Sequence, residues 1–215
     1  MTNIVMLTKD RQRLTGQAIQ TLYQHTAHFT LTVVDDGSRT SPWSAENRGA
    51  LIVSFGAPIQ IVGWLKNTGI QASERYFGRG DWLYLSDNDV AFTPGWLEKM
   101  QYTCRTYMPL VLGGYQHPFH GTNFDLHKFH KTDAVAGYSM LMRWSTWDKY
   151  GPFDAHAKGV CQSEDFAFCQ KITKAGGDVG YIHPPVLAMC GVTNTEGKPA
   201  IGHEHFPRIE GLIYE

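Results

Sequence analysis

The sequence predicts a single α/β domain whose central sheet is mostly parallel and is flanked by helices. Over residues 1–92, apolar runs of strand length alternate with segments of helical periodicity, and the connections between them are short. Alternation of this kind is typical of parallel α/β sheets. The length of 215 residues fits one domain, residues 1–215, which we divide into a first half at about 1–92 and a second half at about 93–215.

The first half carries the clearest periodicity. Ile4–Leu7 is an apolar run long enough for a buried strand, and residues 12–25 place apolar side chains on one face of a helix. Phe29–Val34 is rich in β-branched residues and predicts a second strand. The rest of this half is expected to contain a helix at 44–54, a strand at Ile59–Val62, a helix at 70–79 and a strand at Trp82–Leu85.

The second half is less regular. Thr93 is a plausible N-cap for a helix that begins at Pro94 and ends near Tyr107. Residues 115–133 are rich in aromatic residues and histidine, with a hairpin turn expected at 121–123. The remaining elements are strands at Leu110–Gly113, Val135–Arg143 and Val179–Ile182, helices at Trp144–Tyr150 and Ser163–Ala175, and a polar tail from Thr193.

Composition excludes several classes of protein. With 42% hydrophobic and 18% charged residues the chain is not generally disordered, and its net charge of −1 gives no bulk attraction to nucleic acid or an anionic membrane. No apolar run approaches the ~20 residues of a membrane span, and the first residues lack the basic region of a signal peptide. We therefore expect a cytoplasmic protein without an integral membrane segment.

The four cysteines contain no CxxC pair, and in a reducing cytoplasm we interpret them as free thiols: Cys104, Cys161, Cys169 and Cys190.

Polar clusters follow three of the predicted strands, at Thr8–Arg11, Asp35–Ser38 and Asp87–Asp89. In open α/β sheets, ligands bind beyond the carboxyl ends of the strands. Loops are polar in any protein, but here acidic residues recur at the same edge of the sheet. This recurrence favours a ligand site.

Asp87 and Asp89 flank a single residue at the end of an apolar strand. Neighbouring carboxylates repel unless a cation or hydrogen-bond donors neutralise them. Their oxygen atoms suit Mg²⁺ or Mn²⁺, which keep bound waters and also bind substrate phosphates. A solvated turn is the alternative, and the apolar segments on both sides favour the metal site.

Two further acidic pairs each allow two interpretations. Asp35 and Asp36 can accept a hydrogen bond from a base or a ribose hydroxyl, or they can close the strand in an Asx turn. Glu164 and Asp165 open a helix, where the dipole favours anions. One of them can also act as a general base that takes the proton of an attacking hydroxyl.

These motifs together resemble family 2 and related glycosyltransferases of the GT-A fold, which is a Rossmann-like α/β fold. The resemblance covers about residues 3–190, although many relatives have Tyr-Asn where this chain has Lys9-Asp10. It rests on the order and spacing of Ile4–Arg11, Val33–Ser38, Asn67–Gly69, Leu85–Asp89, Ala136–Met140, Tyr150–Asp154 and Ser163–Asp165.

The resemblance implies a hexosyltransferase-like enzyme that uses a nucleotide-diphosphate sugar, with UDP as the expected nucleotide, and Mn²⁺ or Mg²⁺. It implies that residues 1–92 bind this donor and residues 93–215 bind the acceptor. Asp165 is then the base of an inverting transfer, with Glu164 as the substitute. The implied donor-binding residues are Thr8, Asp10, Arg11, Asp35, Asp36, Asn67, Asp87 and Asn88.

The implied metal ligands are Asp89, Asp87 and a late histidine. We prefer His203 to His205, because Gly202 lets the backbone approach the site closely; a solvated tail is the alternative. A second group, His117, His120, His127 and His130, is spaced as two H-x₂-H pairs. No cysteine joins that group, so we expect an acceptor-binding loop or a structural hairpin there, not a zinc site.

The acceptor hydroxyl is open among glycan, lipid-linked glycan, protein and modified nucleobase, and the oligomeric state is not predicted. The compact size suits a virus or phage, for which a hydroxymethylated DNA base is one candidate acceptor, but the near-neutral charge gives that no support. A nucleotidyltransferase of similar fold is a rival, disfavoured because Thr8–Thr15 lacks the glycine-rich loop of that class. A non-catalytic nucleotide-sugar-binding module is the other rival.

Overall fold

The computed structural model describes residues 1–39, 49–114, 129–156, 164–183, 185–191 and 210–214. Ten strands and five helices lie within these ranges. The strands are β1 (Thr2–Thr8), β2 (Phe29–Asp35), β3 (Leu51–Ser54), β4 (Trp82–Asp87), β5 (Val90–Phe92), β6 (Val111–Gly113), β7 (Phe129–Thr132), β8 (Ser139–Arg143), β9 (Val179–Ile182) and β10 (Leu187–Met189). The helices are α1 (Gln12–His25), α2 (Val62–Phe77), α3 (Trp96–Tyr107), α4 (Trp144–Tyr150) and α5 (Glu164–Lys174).

Eight of the strands form one mostly parallel sheet in the order β3-β2-β1-β4-β8-β6-β9-β7, which confirms the predicted fold class. Only β8 and β7 run against the others, and β5 pairs with β10 in a separate two-stranded sheet. In the main sheet, Thr8 pairs with Asp35 on one side and Leu7 pairs with Asp87 on the other. The polar ends of β1, β2 and β4 therefore meet at one edge, as the sequence predicts.

Helices cover both faces of this sheet because side chains along each central strand alternate between two apolar cores. Ile4 and Met6 of β1 face the core that includes α1 and α3, whereas Val5 faces the core that includes α2, α4 and α5. In β4, Tyr84 belongs to the first core and Leu85 to the second. Helices α1 and α3 therefore cover one face of the sheet, and α2, α4 and α5 cover the other.

The predicted third strand is wrong in position. Leu51–Ser54, expected within a helix at 44–54, is the edge strand β3. The helix expected at 70–79 is α2, which begins at Val62, eight residues earlier than predicted. Ile59–Val62 does not form a strand because the Asp36 carboxylate accepts hydrogen bonds from the backbone N–H groups at 59 and 60. Gln60 also adopts a left-handed φ of 59°.

Two boundaries in the second half also differ from the prediction. Thr93 does not cap α3 with its side chain, which instead donates to the Val186 carbonyl at 2.6 Å; Gly95 precedes the helix. The strand expected at Val135–Arg143 begins only at Ser139, because the N–H groups at 135–137 donate to the side chains of Cys169, Tyr181 and Asp165. The predictions for the turn at 121–123, the Ser163 cap and residues 193–209 of the polar tail fall outside the described residues.

No helix within the described ranges combines the length and apolar character needed to cross a bilayer.

Cys104, Cys169 and Cys190 are buried free thiols, whereas Cys161 lies outside the described residues. Burial raises the pKa of each of these three thiols to about 12, which favours the thiol over the thiolate at neutral pH.

Candidate active site

A buried polar cluster ties the β4–β5 turn to the start of α1. The Asn88 amide donates to the Thr8 hydroxyl at 3.1 Å and to the Thr15 hydroxyl at 2.8 Å, and the two hydroxyls lie 3.0 Å apart. All three side chains are buried. Thr8 and Asn88 therefore fix the loop that carries Asp87 and Asp89.

The loop after β1 contains two consecutive residues in the left-handed region. Asp10 has a φ of 51° and Arg11 a φ of 54°, a conformation that is uncommon for side chains of this size and is often found at functional sites. The Asp10 N–H donates to the Ser38 hydroxyl at 2.7 Å, which links this loop to the end of β2. Arg11 Nη1 donates to Asp89 Oδ2 at 3.1 Å.

Asp35 and Asp36 are buried and organise the loops that follow β2 and β3. Asp35 accepts hydrogen bonds from the Ser38 N–H at 3.2 Å and the Ser54 hydroxyl at 3.0 Å, which is the turn-closing arrangement. Asp36 accepts from the Ile59 N–H at 2.5 Å, and its other oxygen lies 3.7 Å from Lys9 Nζ. Both carboxylates are thus engaged by the protein itself.

Asp87 and Asp89 lie in different surroundings. Burial raises the pKa of the half-buried Asp87 to about 7, and the carboxylates of Asp89, Glu164 and Asp165 act in the same direction, against the attraction of Lys66. Asp89 pairs with Arg11, and its Oδ2 is so close to Gly191 that a Cβ there would lie 2.2 Å away. Its backbone carbonyl accepts from the Cys190 N–H at 2.7 Å.

The donor set at this turn fits a hard divalent cation. Asp87 and Asp89 supply carboxylate oxygens from one short turn, and Mg²⁺ or Mn²⁺ requires only one or two protein carboxylates when a diphosphate and waters complete its shell. The described residues contain no group of three or more His, Cys, Asp and Glu side chains arranged to hold a metal ion by themselves. His203 and His205 lie outside the described residues.

Lys66 is a site residue that the sequence analysis missed. Its ammonium donates to Glu164 Oε1 at 2.6 Å, and the side chains of Lys66 and Glu164 are only 2% and 7% exposed. Burial alone lowers the pKa of Lys66, but the carboxylates of Glu164, Asp87 and Asp165 outweigh it and raise the pKa above its ordinary value. The sequence pattern that could have revealed Lys66 is its position as a lone cation on the face of α2 that also carries Ile70 and Ser73, both of which are buried.

Gly137 allows the acidic pair at the start of α5 to approach Lys66. The Gly137 N–H donates to Asp165 Oδ2 at 2.7 Å. A Cβ at this glycine would lie 2.1 Å from Lys66 Nζ and 3.3 Å from both Asp165 Oδ2 and Glu164 Oε1. The structure therefore brings Asp165, Glu164 and Lys66 to one point, with Asp87 within electrostatic reach.

Asn67 lies next to this point and holds the turn that follows α4. Its amide donates to the Phe153 carbonyl and accepts from the Phe153 N–H, each at 3.0 Å. Both polar ends of Asn67 are thus bonded to the protein backbone.

His130 lies on β7, and the centroid of its ring is 5.8 Å from that of His183. The other three histidines of its group, His117, His120 and His127, lie outside the described residues.

The chain has the GT-A fold found in glycosyltransferase structures. No known family profile and no curated protein sequence matches it. Residues 1–349 of S. aureus TarS in complex with UDP align with a TM-score of 0.64 and 14% identity over 86% of this chain and 59% of that one. GalNAc-T7 with UDP, GalNAc and Mn²⁺ aligns with a TM-score of 0.67 and 11% identity over 87% of this chain and 43% of that one.

The same TarS fragment in complex with UDP-GlcNAc aligns with a TM-score of 0.64 and 13% identity. At such identities the similarity is one of fold. The chain spans 59% or less of the length of each of these three structures, which is under two thirds.

Proposed function

We propose that the protein is a metal-dependent glycosyltransferase that moves a sugar from a UDP-sugar to an acceptor hydroxyl with inversion. The observation that carries the proposal is the convergence of Asp87, at the end of β4, with Glu164 and Asp165, at the start of α5, around the ammonium of Lys66. A transfer site has to hold the anomeric carbon of the donor and the acceptor oxygen about 3–3.5 Å apart, with the base beside the acceptor. Solved structures of this fold with UDP, UDP-GlcNAc or Mn²⁺ support the choice of donor and metal.

On the donor side, Arg11 has the chemistry to meet the diphosphate directly, since a guanidinium pairs with phosphate oxygens through charge-assisted hydrogen bonds. Asp10 holds the same loop through Ser38. Asp35 and Asp36 position the nucleotide indirectly, because they hold the loops that follow β2 and β3. Thr8 and Asn88 do so by anchoring the turn between β4 and β5. Asn67 acts by fixing α2 against the turn at Phe153.

We assign the divalent cation to Asp87 and Asp89, with His203 as the proposed third protein ligand. When bound, such a cation neutralises the charge that develops on the departing diphosphate. Arg11 Nη1 lies 3.1 Å from Asp89 Oδ2 in this structure. When a donor is bound, the guanidinium would turn from that oxygen to the phosphates. Removal of the acceptor proton is assigned to the carboxylates at the start of α5.

In the transfer step, the acceptor oxygen forms a bond to the anomeric carbon, and the bond from that carbon to the diphosphate oxygen breaks with its electron pair. Asp165 takes the acceptor proton. The transition state has oxocarbenium character, so the base stands on the face opposite the leaving group and the configuration inverts. The Gly137 N–H, 2.7 Å from Asp165 Oδ2, fixes the orientation of this carboxylate.

Calorimetry with UDP, with and without MnCl₂, tests the donor and metal assignments. The wild-type protein should bind UDP more tightly with Mn²⁺, and Asp89→Ala should lose that gain while keeping its circular dichroism spectrum, because Asp89 lies at a turn outside the core clusters. Asp178→Ala, at an exposed acid, is the matched control. Equal affinities of Asp89→Ala and wild type would exclude Asp89 as a ligand, and a wild type that binds no UDP contradicts the proposed donor.

A further inference from the structure

The two adjacent acids at the start of α5 lie in different environments. The Glu164 carboxylate is buried and is bonded to the equally buried ammonium of Lys66 at 2.6 Å. The Asp165 carboxylate is half-buried and accepts from the backbone N–H groups of Gly137 and Phe166, each at 2.7 Å. One acid is therefore closed off by a fixed cation, and the other remains accessible.

Environments that separate two neighbouring titratable groups indicate different chemical roles. A buried carboxylate held by a buried ammonium is compensated where it lies, and moving it toward an acceptor would leave the ammonium unpaired in the interior. Glu164 therefore cannot leave Lys66 to collect a proton without a large loss of stability. Asp165 is held only by backbone N–H groups at the margin of the cluster and is under no such constraint.

We propose that Lys66 is a positioning residue of the transfer site: by closing an ion pair with Glu164 it withdraws that acid from the chemistry and leaves Asp165 as the proton acceptor. This inference rests on the proposed function and adds to it a division of roles between the two acids. Lys66 itself is too buried to touch either substrate. Its effect passes through Glu164 and through the charge that it places beside Asp165.

The pH dependence of turnover follows from the charges around Asp165. Among the described residues, Lys66 of α2, Asp87 of β4, Cys169 of α5 and Tyr181 of β9 lie within electrostatic reach of it, with Glu164 as its chain neighbour. Lys66 is the one cation in this described set. Removing it alone leaves an unbalanced anion at Glu164 and favours protonation of the cluster, so the acid limb of the kcat profile moves to higher pH.

The test is a double-mutant cycle of Lys66→Met, Glu164→Gln and the combined variant, with kcat, the UDP dissociation constant and the pH profile of kcat measured for each. Lys66→Met should lower kcat roughly 10²-fold, the size of effect expected from a small misplacement of reacting groups. UDP affinity should change far less. The combined variant removes both buried charges and should recover on the order of tenfold of that loss, with the acid limb moving back toward wild type. Lys131→Met, at an exposed pair with Asp178, is the matched control and should leave kcat unchanged.

The combined variant keeps the test decisive if Lys66→Met alone does not fold, because neither member of the buried Lys66–Glu164 pair is then left without the other. A combined variant as inactive as Asp165→Asn, with UDP affinity intact, overturns the inference, since Glu164 would then be the base. A folded Lys66→Met with the kcat and pH profile of wild type overturns it as well. Wild-type protein that turns over no nucleotide sugar refutes the proposed function and this inference with it, so the two failures are distinguishable.

Discussion

At the scale of single residues, the proposed chemistry depends most on Asp165. The Gly137 N–H orients one of its oxygens, and the first turn of α5 favours its negative charge. Asp165→Asn keeps the shape of the side chain and one of its two hydrogen bonds from backbone N–H groups, but removes its basicity. We predict that kcat falls by about 10²–10⁴-fold, the usual contribution of a general base, while the UDP affinity stays close to wild type.

Product stereochemistry gives an independent check of the role of Asp165. A base-assisted single displacement inverts the anomeric configuration, which NMR of the fresh product reads directly. Asp178→Asn, on the exposed surface, is the control for loss of one carboxylate. A retained configuration would contradict the role given to Asp165 even if Asp165→Asn were inactive.

Asp87 provides a prediction about stability. Its pKa in the folded protein is raised from 3.8 to about 7, chiefly by burial, so its ionised form destabilises the fold. This destabilisation is fully present above pH 7 and disappears as the pH falls from 7 toward 4. Asp87→Asn, measured by urea unfolding without metal, should therefore be more stable than wild type by up to about 3 kcal/mol at pH 8, with a smaller difference at pH 5.

This pH dependence separates a charge effect from a packing effect. A stability difference that does not change between pH 5 and pH 8 would show that the charge of Asp87 is not the cause. A variant less stable than wild type at pH 8 would contradict the prediction outright. The expected result also gives a reason for an acid at this position, because residues that destabilise the fold are commonly retained where function requires them.

At the scale of secondary-structure elements, α2 decides the geometry of the site. Gly69 lets this helix pack against the sheet, since a Cβ there would lie 2.5 Å from a Val5 methyl and 2.6 Å from a Val34 methyl. Three residues earlier in the same helix, Lys66 reaches the acidic cluster. A change in the distance between α2 and the sheet therefore moves Lys66 relative to Glu164.

We predict that Gly69→Ala destabilises the protein by about 1–3 kcal/mol, as overpacking of a core contact does, and also lowers kcat. Gly16→Ala is the matched control within α1, because no atom lies within 4 Å of its added Cβ. That control should stabilise the protein by up to about 1 kcal/mol through helix propensity. Thermal or urea unfolding of the two variants measures the change in the free energy of unfolding for each. A Gly69→Ala variant as stable as Gly16→Ala would contradict the close packing of α2.

The elements that the sequence predicted well are those with strong local patterns. The strands β1 and β4 are nearly continuous apolar runs, and α1 shows clear helical spacing. By contrast, β3 is a half-exposed edge strand of four residues, and its register depends on pairing with β2. Ile59–Val62 has strand-like composition but is bent by the distant Asp36 carboxylate, which no local pattern reveals.

The same distinction applies to the site. The acids at the ends of β2 and β4 were identifiable because their position in an α/β sheet is read from chain order. The turn closed by Asp35 was one of the two interpretations that the sequence offered, because its partner Ser38 is close along the chain. The inward-facing role of Asn67 was not identifiable, because its partner Phe153 is 86 positions away. Lys66 was missed because a lysine in a helix is ordinarily solvated, and its partner Glu164 lies 98 positions away.

At the scale of the whole molecule, the two halves are joined at the site itself. Within α2, Lys66 and Asn67 contact Glu164 and the turn at Phe153, so a helix of the first half is fixed to elements of the second half beside the acidic cluster. The far end of the chain returns to the first half, where the Gln17 side chain pairs with both backbone groups of Ile213, at 3.1 and 2.5 Å. Residues from both halves thus surround the proposed reaction centre.

The most direct measurement of the central claim is a screen of UDP-sugars and other nucleotide sugars for hydrolysis by the purified protein, with MnCl₂ and with EDTA. Asp165→Asn and Asp89→Ala serve as matched variants, and Asp178→Asn as the control. We predict Mn²⁺-dependent release of UDP from at least one UDP-sugar by wild type and control, strongly reduced in both site variants. No release from any nucleotide sugar, with UDP still bound, would contradict the enzyme assignment and leave a binding module; release that is equal in wild type and both site variants would contradict the site.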